Sequence, residues 1–219
     1  MEDKKAARKK VKMHFLLADA FKRVVEKGNT QFYPSKARFQ EEYEKLSSEY
    51  QAYSEHELDE MIRRKDKTKL ERYDSLDWQF GEVALSDVGP RPGMGGLDTR
   101  LTTGNLPETV ERFRWAFIHH PEMIPKSFVP KLQSTLYYDS LILPRFPLIL
   151  FPGGVERGNH NNWVRATITV APGEPEEYIC EVFKHDLDDG NTRAFAYELA
   201  HIETVEAYFG TKRDITASR

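Results

Sequence analysis

The chain has 219 residues, of which 39% are hydrophobic and 12% aromatic, and its formal net charge is −3. The aromatic content supports a packed core and argues against global disorder, and the slightly acidic balance argues against a dedicated nucleic-acid-binding domain. Cys180 is the only cysteine, so no intrachain disulfide can form. A single free thiol favours a reducing intracellular compartment, mitochondrial or cytoplasmic. No apolar run is long enough to predict a membrane span.

The prolines divide the chain into two parts of different character. Eleven of the twelve lie between Pro90 and Pro175, and only Pro34 interrupts the first 89 residues. Proline cannot donate a backbone hydrogen bond to a helix or a central strand. We therefore predict a helical arm followed by a turn-rich body. Residues 1–72 hold 18 Lys and Arg against 14 Asp and Glu, whereas residues 73–219 hold 14 against 21.

Helical periodicity defines the arm. A first helix is predicted over residues 4–27, and a second begins after Pro34 with one stripe of apolar side chains. Ser54 and Glu57 form a capping-box pattern, which predicts that a helix starts again there. A stripe this narrow buries one side only, so the arm must pack on the body, against itself, or against another protein. The stripe of the second helix comprises Phe39, Tyr43, Leu46, Tyr50 and Tyr53.

The body begins after a segment rich in glycine and proline. Residues 76–106 are predicted as a loop or linker. A helix is then expected to start at Asn105 and to end at Pro121, and a short helix is predicted within residues 127–138. Residues 141–151 are expected to be extended, because their prolines exclude a helix. The apolar side of the helix after Asn105 comprises Val110, Phe113 and Phe117.

The C-terminal segments combine strand and helix patterns. Alternation predicts strands over residues 163–170 and 178–183. An apolar stripe from Phe195 to Phe209 predicts a final helix that is capped by Asn191 or Thr192. The pair Asp189-Gly190 is also typical of a hairpin turn.

These elements predict an α+β fold. A charged amphipathic helical arm precedes a compact, proline-rich α+β body with a small antiparallel sheet and a C-terminal helix. We assign the arm to residues 1–75, a Gly/Pro-rich linker to residues 76–106, and the α+β domain to residues 107–219.

One fragment resembles a known metal motif. Gly158-Asn159-His160 resembles the Gly-Asn-His piece of the calcineurin-like metallophosphatases, in which Asn and His serve a two-metal centre. Asn161 follows where that family has Asp or Glu, and the chain has no upstream Asp-x-His. Too few ligands remain for a metal pair. We predict a polar loop.

Two further groups have residue types that bind metals. Asp186, Asp188 and Asp189 precede Gly190 and offer the oxygen ligands that Ca²⁺ prefers. The glycine stands one position early for an EF-hand loop, which predicts an acidic turn instead. Glu198 and His201 have a spacing that can place two ligands on one metal, but a di-iron site needs two such pairs. His160 and His185 are the two other residues that could complete a metal site with Glu198 and His201. We predict no catalytic residue, no metal and no cofactor.

Two basic clusters in the arm offer contacts to phosphates. Acidic neighbours dilute the positive field of both clusters, so solvated helix faces are the simpler interpretation. The clusters are Lys4, Lys5, Arg8, Lys9, Lys10 and Lys12, and Arg63, Arg64, Lys65, Lys67 and Lys69.

Three hypotheses of function follow. The favoured one is a non-catalytic accessory or structural subunit of a multiprotein assembly, such as an organellar respiratory-chain or ATP synthase complex. It would bind other protein subunits through its helical arm and extended segments. The second is an RNA-associated ribosomal accessory protein. The third is a small metal-dependent enzyme centred on His160, His185, Glu198 and His201.

Overall fold

The structure is a computed structural model, and it describes residues 4–28, 36–90, 93–141, 146–153, 166–168, 176–178 and 184–213. Its helices and strands confirm the predicted α+β class. The helices are α1 (Lys4–Gly28), α2 (Lys36–Ala52), α3 (Glu55–Lys65), α4 (Lys67–Asp74), α5 (Leu106–His119), α6 (Phe128–Leu141) and α7 (Asn191–Leu199). The strands are β1 (Leu76–Ala84), β2 (Val88–Gly89), β3 (Leu148–Pro152), β4 (Ala166–Ile168), β5 (Glu176–Tyr178), β6 (His185–Asp189) and β7 (Thr204–Lys212). Each described helix is too short or too polar to cross a membrane.

The chain divides into two compact units. Unit 1 comprises residues 1–80, 137–147 and 210–219, and unit 2 comprises residues 81–136 and 148–209. Both units are therefore built from segments that are distant in sequence. The sequence-based division into arm, linker and α+β domain stays a prediction.

The helices of unit 1 bury their apolar stripe against one another. Phe21 of α1 packs edge-to-face on Phe39 and Tyr43 of α2, with ring centroids 6.1 and 6.0 Å apart. Phe146 joins this cluster, 5.6 Å from Phe21. The N-terminal helices therefore pack on each other, which is one of the three arrangements expected from the narrow stripe.

The predicted capping box is confirmed at the start of α3. The Ser54 hydroxyl accepts a hydrogen bond from the backbone N–H of Glu57, and the Glu57 carboxylate accepts one from the backbone N–H of Ser54 at 2.7 Å. Asp66 caps α4 in a similar way, since its carboxylate accepts from the backbone N–H of Lys69. These caps satisfy backbone donors that have no partner within the helix.

Lys12 is the buried ionic centre of unit 1. Its side chain is 1% exposed, and its Nζ lies 2.5 Å from Asp59 Oδ1 and 2.7 Å from Asp74 Oδ1. Glu55 Oε1 is 3.5 Å away and also accepts from Arg8 Nε at 3.1 Å. One ammonium group therefore joins α1 to α3 and α4. A buried ammonium group is tolerated only when opposite charges compensate its lost hydration.

A mixed five-stranded sheet has the strand order β1-β7-β3-β6-β2. Strand β3 runs parallel to β7 and antiparallel to β6, and β6 runs parallel to β2. Strands β4 and β5 form a separate antiparallel pair. The predicted sheet is thus present, and its pairing is mixed.

The core of unit 2 joins three helices to this sheet. Phe113 of α5, Phe128 of α6 and Phe195 of α7 contact one another, with ring centroids 5.1 to 5.5 Å apart. Leu148 of β3 and Leu187 of β6 belong to the same buried cluster. The aromatic triad therefore fixes α5 relative to α7.

The prediction of a loop is wrong over Leu76–Ala84, which form strand β1. Leu76, Trp78 and Val83 are buried there, and the Trp78 indole donates to the backbone oxygen of Tyr73 at 2.9 Å. Exposed polar residues and a glycine within the strand weaken its alternation in the sequence. Tertiary burial decides its conformation.

The prediction of a final helix is confirmed over Asn191–Leu199 and wrong beyond it. Residues 204–212 form β7, in which Ala207 and Phe209 pair with β3. Gly190, rather than Asn191 or Thr192, stands at the helix start with φ of 95°. No hairpin forms at this glycine, because the chain continues directly into α7.

The remaining element predictions agree with the structure where it describes them. Helix α5 begins after Asn105, whose side chain accepts from the backbone N–H of Glu108, and it ends before Pro121 as predicted. Helix α6 lies where a short helix was expected. The extended segment contains β3, and residues 142–145 of it lie outside the described residues.

The two strands predicted by alternation lie partly outside the described residues. The first is confirmed over Ala166–Ile168, and the rest of residues 163–170 is not described. The second was predicted over residues 178–183. The described strand there is Glu176–Tyr178, and residues 179–183 lie outside the described ranges.

We expect Lys12→Met to lower the free energy of unfolding by about 3 kcal/mol, because it leaves three carboxylates without their shared cation. Urea denaturation followed by circular dichroism measures this change. Lys45→Met on the exposed face of α2 is the matched control and should change stability by less than about 0.5 kcal/mol. Equal effects of the two substitutions would show that the Lys12 cluster is energetically neutral.

Candidate functional site

The residues that the sequence proposed for a metal site are only partly described. His160, with Gly158 and Asn159, lies outside the described residues. His185 lies on β6, Glu198 lies in the last turn of α7, and His201 follows that helix. Within the described ranges, no group of three His, Cys, Asp or Glu side chains is arranged to hold a metal ion. The metal-site hypothesis therefore stays a prediction.

The predicted acidic turn is wrong up to Asp189, because this segment forms strand β6. Leu187 pairs with Leu150 of β3 and is fully buried, which holds the segment extended. The register with β3 shifts between Ile149 and Leu150, opposite Leu187–Asp189, but the segment stays extended. An extended strand does not gather its carboxylates around one cation as a calcium loop does.

His185 is buried at the start of β6. Its ring centroid lies 5.7 Å from that of Phe209, and no hydrogen-bond partner for its Nδ1 is found among the described residues. Burial lowers the pKa of His185, the charge of Lys184 lowers it further, and Asp87 opposes both effects. The imidazole therefore favours its neutral form within the fold.

The basic clusters of the N-terminal helices are occupied in part by contacts within the chain. Lys12 and Arg8 contact carboxylates of α3 and α4. In the second cluster, Arg63 pairs with Glu60, Lys65 pairs with Asp19, and the ammonium of Lys69 lies 4.3 Å from the centre of the Phe15 ring. These pairs reduce the positive field that the clusters offer to phosphates.

Exposed apolar side chains are concentrated at the end of α5. Phe117 is 54% exposed and Ile118 is 73% exposed, and we call this pair the α5 ridge. Phe80 of β1, at 46%, is the other large hydrophobic side chain that is exposed among the described residues. Phe117 extends the apolar side of α5, with its ring centroid 6.0 Å from Phe113. Phe117 was expected on the core side of the helix, but it is half exposed although the preceding Ala116 is fully buried.

Arg114 joins the middle of α5 to the end of α7. Its Nη2 donates to the backbone oxygen of Leu199 at 3.2 Å and lies 3.2 Å from His201 Nε2. Its Nη1 donates to Glu111 Oε1 at 2.7 Å. A guanidinium group at the carboxyl end of a helix satisfies a free carbonyl and opposes the negative end of the helix dipole. Arg114 therefore positions α5 and its ridge against α7.

His201 forms the turn that ends α7. Its φ is 58°, in the left-handed region that glycine usually occupies after a helix. The backbone N–H of His201 donates to the backbone oxygen of Glu198 at 3.0 Å, and the backbone N–H of Ile202 donates to the backbone oxygen of Tyr197 at 2.9 Å. This pair of bonds is a Schellman motif. Histidine at this position is less favourable than glycine by about 1 kcal/mol.

Glu198 is a half-buried carboxylate beside this turn. Burial raises its pKa, His201 and Arg114 lower it, and Glu111 raises it. The described part of the chain provides no hydrogen bond or ion pair to the Glu198 carboxylate.

The sequence contained a weak signal for the α5 ridge. Phe117 and Ile118 are consecutive large apolar residues directly before His119-His120-Pro121, at the end of the predicted helix. The Trp115 ring packs on His119 and His120, with centroids 5.3 and 5.0 Å apart. Phe117 and Ile118 themselves stay exposed at the end of the helix.

Comparison with known proteins finds no matching family model, no curated protein that the chain matches significantly, and no solved structure that it matches significantly.

We expect His201→Gly to be more stable than His201→Ala by about 1 kcal/mol. Both substitutions remove the contact with Arg114, but only glycine enters the left-handed region without a steric penalty. The midpoints of urea denaturation for the two variants give the difference. If alanine is as stable as glycine, the turn is not strained.

The stability of the protein should fall as the pH decreases through the range in which His185 titrates. Because its pKa is depressed in the fold, the unfolded chain binds more protons, so this contribution is complete above the ordinary pKa of 6.5. It is lost as the pH falls through the folded pKa. His185→Phe should flatten the pH dependence of the free energy of unfolding between about pH 8 and about pH 5. An unchanged slope in this variant would exclude His185 as its source.

Proposed function

We propose that the protein is a non-catalytic accessory subunit that binds another protein through the α5 ridge. The observation that carries this proposal is the exposure of Phe117 and Ile118, 54% and 73%, on consecutive positions of one helix. Large apolar side chains that lie together on a surface are typical of protein–protein contact sites. Aromatic residues are also enriched at the centres of such sites.

The α5 ridge is held on a rigid support. Phe113, one turn before Phe117, packs in the aromatic triad with α6 and α7. Arg114, one turn before Ile118, is fixed by the end of α7. A surface that is ordered before binding loses little conformational entropy when a partner arrives. This support favours the ridge as a docking surface.

The proposed surface differs from the one expected from the sequence. The sequence assigned partner binding to the helical arm and the extended segments. The stripe of α1 and α2 is used at least in part for packing within unit 1, and binding through the extended segments stays a prediction. Membership of an organellar respiratory-chain or ATP synthase assembly, and a mitochondrial location, stay predictions. The accessory-subunit hypothesis itself does not depend on them.

The two other hypotheses have less support. Ion pairs within unit 1 use several cations of the basic clusters that would contact RNA. For a metal-dependent enzyme, Glu198 and His201 lie near each other, but the described residues bring no third ligand to them. We keep both as predictions of lower rank.

A protein isolated from its native source should elute in a complex larger than its own 25.5 kDa. Ile118→Ser should weaken that complex by about 30-fold in dissociation constant, because roughly 2 kcal/mol of apolar burial is lost. Size-exclusion chromatography with light scattering measures the mass, and mass spectrometry identifies stoichiometric partners.

Phe80→Ser is the matched control, since it removes the exposed apolar side chain of β1 and leaves α5 intact. Circular dichroism of both variants verifies the fold. A wild-type protein that elutes as a 25.5 kDa monomer would contradict the proposed function.

A further inference from the structure

We infer that His185 is an acid-sensitive latch: its neutral imidazole keeps the edge strand β2 paired with β6, and protonation of the ring releases β2. The inference concerns a conformational step within unit 2, so it does not rest on the proposed function. It follows from how few residues hold β2, where the imidazole lies and which charges reach it.

Strand β2 is held in the sheet by two residues. It lies at the edge of the strand order, and its Val88 and Gly89 pair with His185 and Asp186 of β6. Val88 is fully buried in the core of unit 2, which favours the paired state. Because so short an edge makes few contacts, its local opening costs less free energy than unfolding of the whole sheet.

The imidazole of His185 lies at this pairing, in surroundings that disfavour a charge. Its side chain is 8% exposed, and its Nδ1 has no hydrogen-bond partner among the described residues. The ring of Phe209 packs against it, and its pairing partner in β3 is Pro152, in a strand without ionisable side chains. A charged imidazole would therefore be buried without an acceptor for the proton on Nδ1, which is costly.

Burial is the largest cause that lowers the pKa of His185, and among the described residues two charges modify it. The Lys184 ammonium lowers the pKa further, and Asp87, directly before β2, raises it. The Lys184 Nζ lies 3.3 Å from Asp87 Oδ2, so each of these charges offsets the field of the other. Asp87 is therefore a weak counter-ion for a protonated ring.

The direction of the pKa shift sets the direction of the latch. Because the pKa is lowered in the fold, the pairing of β2 is complete above the ordinary value of 6.5 and is lost as the pH falls through the folded pKa. Opening exposes the ring to water and removes the cost of its charge. Acid therefore favours the open edge.

Hydrogen exchange of the full chain, with rates corrected for intrinsic exchange at each pH, tests the inference. The Leu85 amide donates to the Glu203 oxygen, and the Val88 amide donates to the Leu85 oxygen, so residues 85–89 report the opening. Their protection should fall at least about 5-fold between about pH 8 and about pH 5, relative to the amide of Phe195 in the core. His185→Phe should abolish this loss. His56→Phe, at an exposed histidine of α3, is the matched control and should retain it.

A second pair of variants separates the latch from a structural role of His185. Lys184→Met and Asp87→Asn both break the same exposed ion pair, but they leave opposite charges behind. Lys184→Met should move the loss of protection to higher pH, because it removes the opposing cation and frees the Asp87 carboxylate. Asp87→Asn should move it to lower pH for the converse reason.

Three outcomes would overturn the inference. The two charge variants shift the loss of protection in the same direction or not at all, His185→Phe retains the loss, or residues 85–89 and Phe195 lose protection together. The last result would show that acid unfolds unit 2 as a whole rather than releasing its edge. None of these results bears on the α5 ridge, which the mass of the native complex tests separately.

Discussion

The turn after α7 is the constraint on which the C-terminal part of the chain depends. Arg114 and the Schellman bonds at His201 end the helix at Leu199, although its apolar stripe continues in the sequence. The chain is then free to enter the sheet as β7, between β1 and β3. The same guanidinium group reaches α7 from α5, so it adds to the aromatic triad in holding these two helices together.

Unit 1 reaches its stability by a different route. Its helices are too polar to form a large apolar core, and an ammonium group occupies one of the buried positions between them. Carboxylates from α3 and α4 converge on Lys12, so that charge compensation supplements the aromatic cluster around Phe21. The apolar stripes and the buried cation of the N-terminal helices therefore find their contacts within unit 1. The exposed apolar side chains lie instead on α5 and β1 among the described residues.

The candidate site is an exposed apolar pair on a helix that is firmly packed in the core. Phe113 anchors α5 in the core, whereas Phe117, one turn later on the same stripe, is 54% exposed. An exposed apolar pair on a helix that the core holds in place is the arrangement that the binding proposal explains.

The sequence alone determined the elements that local chemistry specifies: the helix starts at Ser54 and Asn105, the stop at Pro121, and the α+β class. Capping bonds and proline act over a few residues, so they can be recognised without the fold. Only the tertiary structure decided that residues 204–212 are a strand, because their stripe suits either conformation and pairing with β3 selects one. It also decided which apolar residues are covered. Phe113 and Phe117 are equivalent in a helical pattern, and the extent of the neighbouring elements separates them.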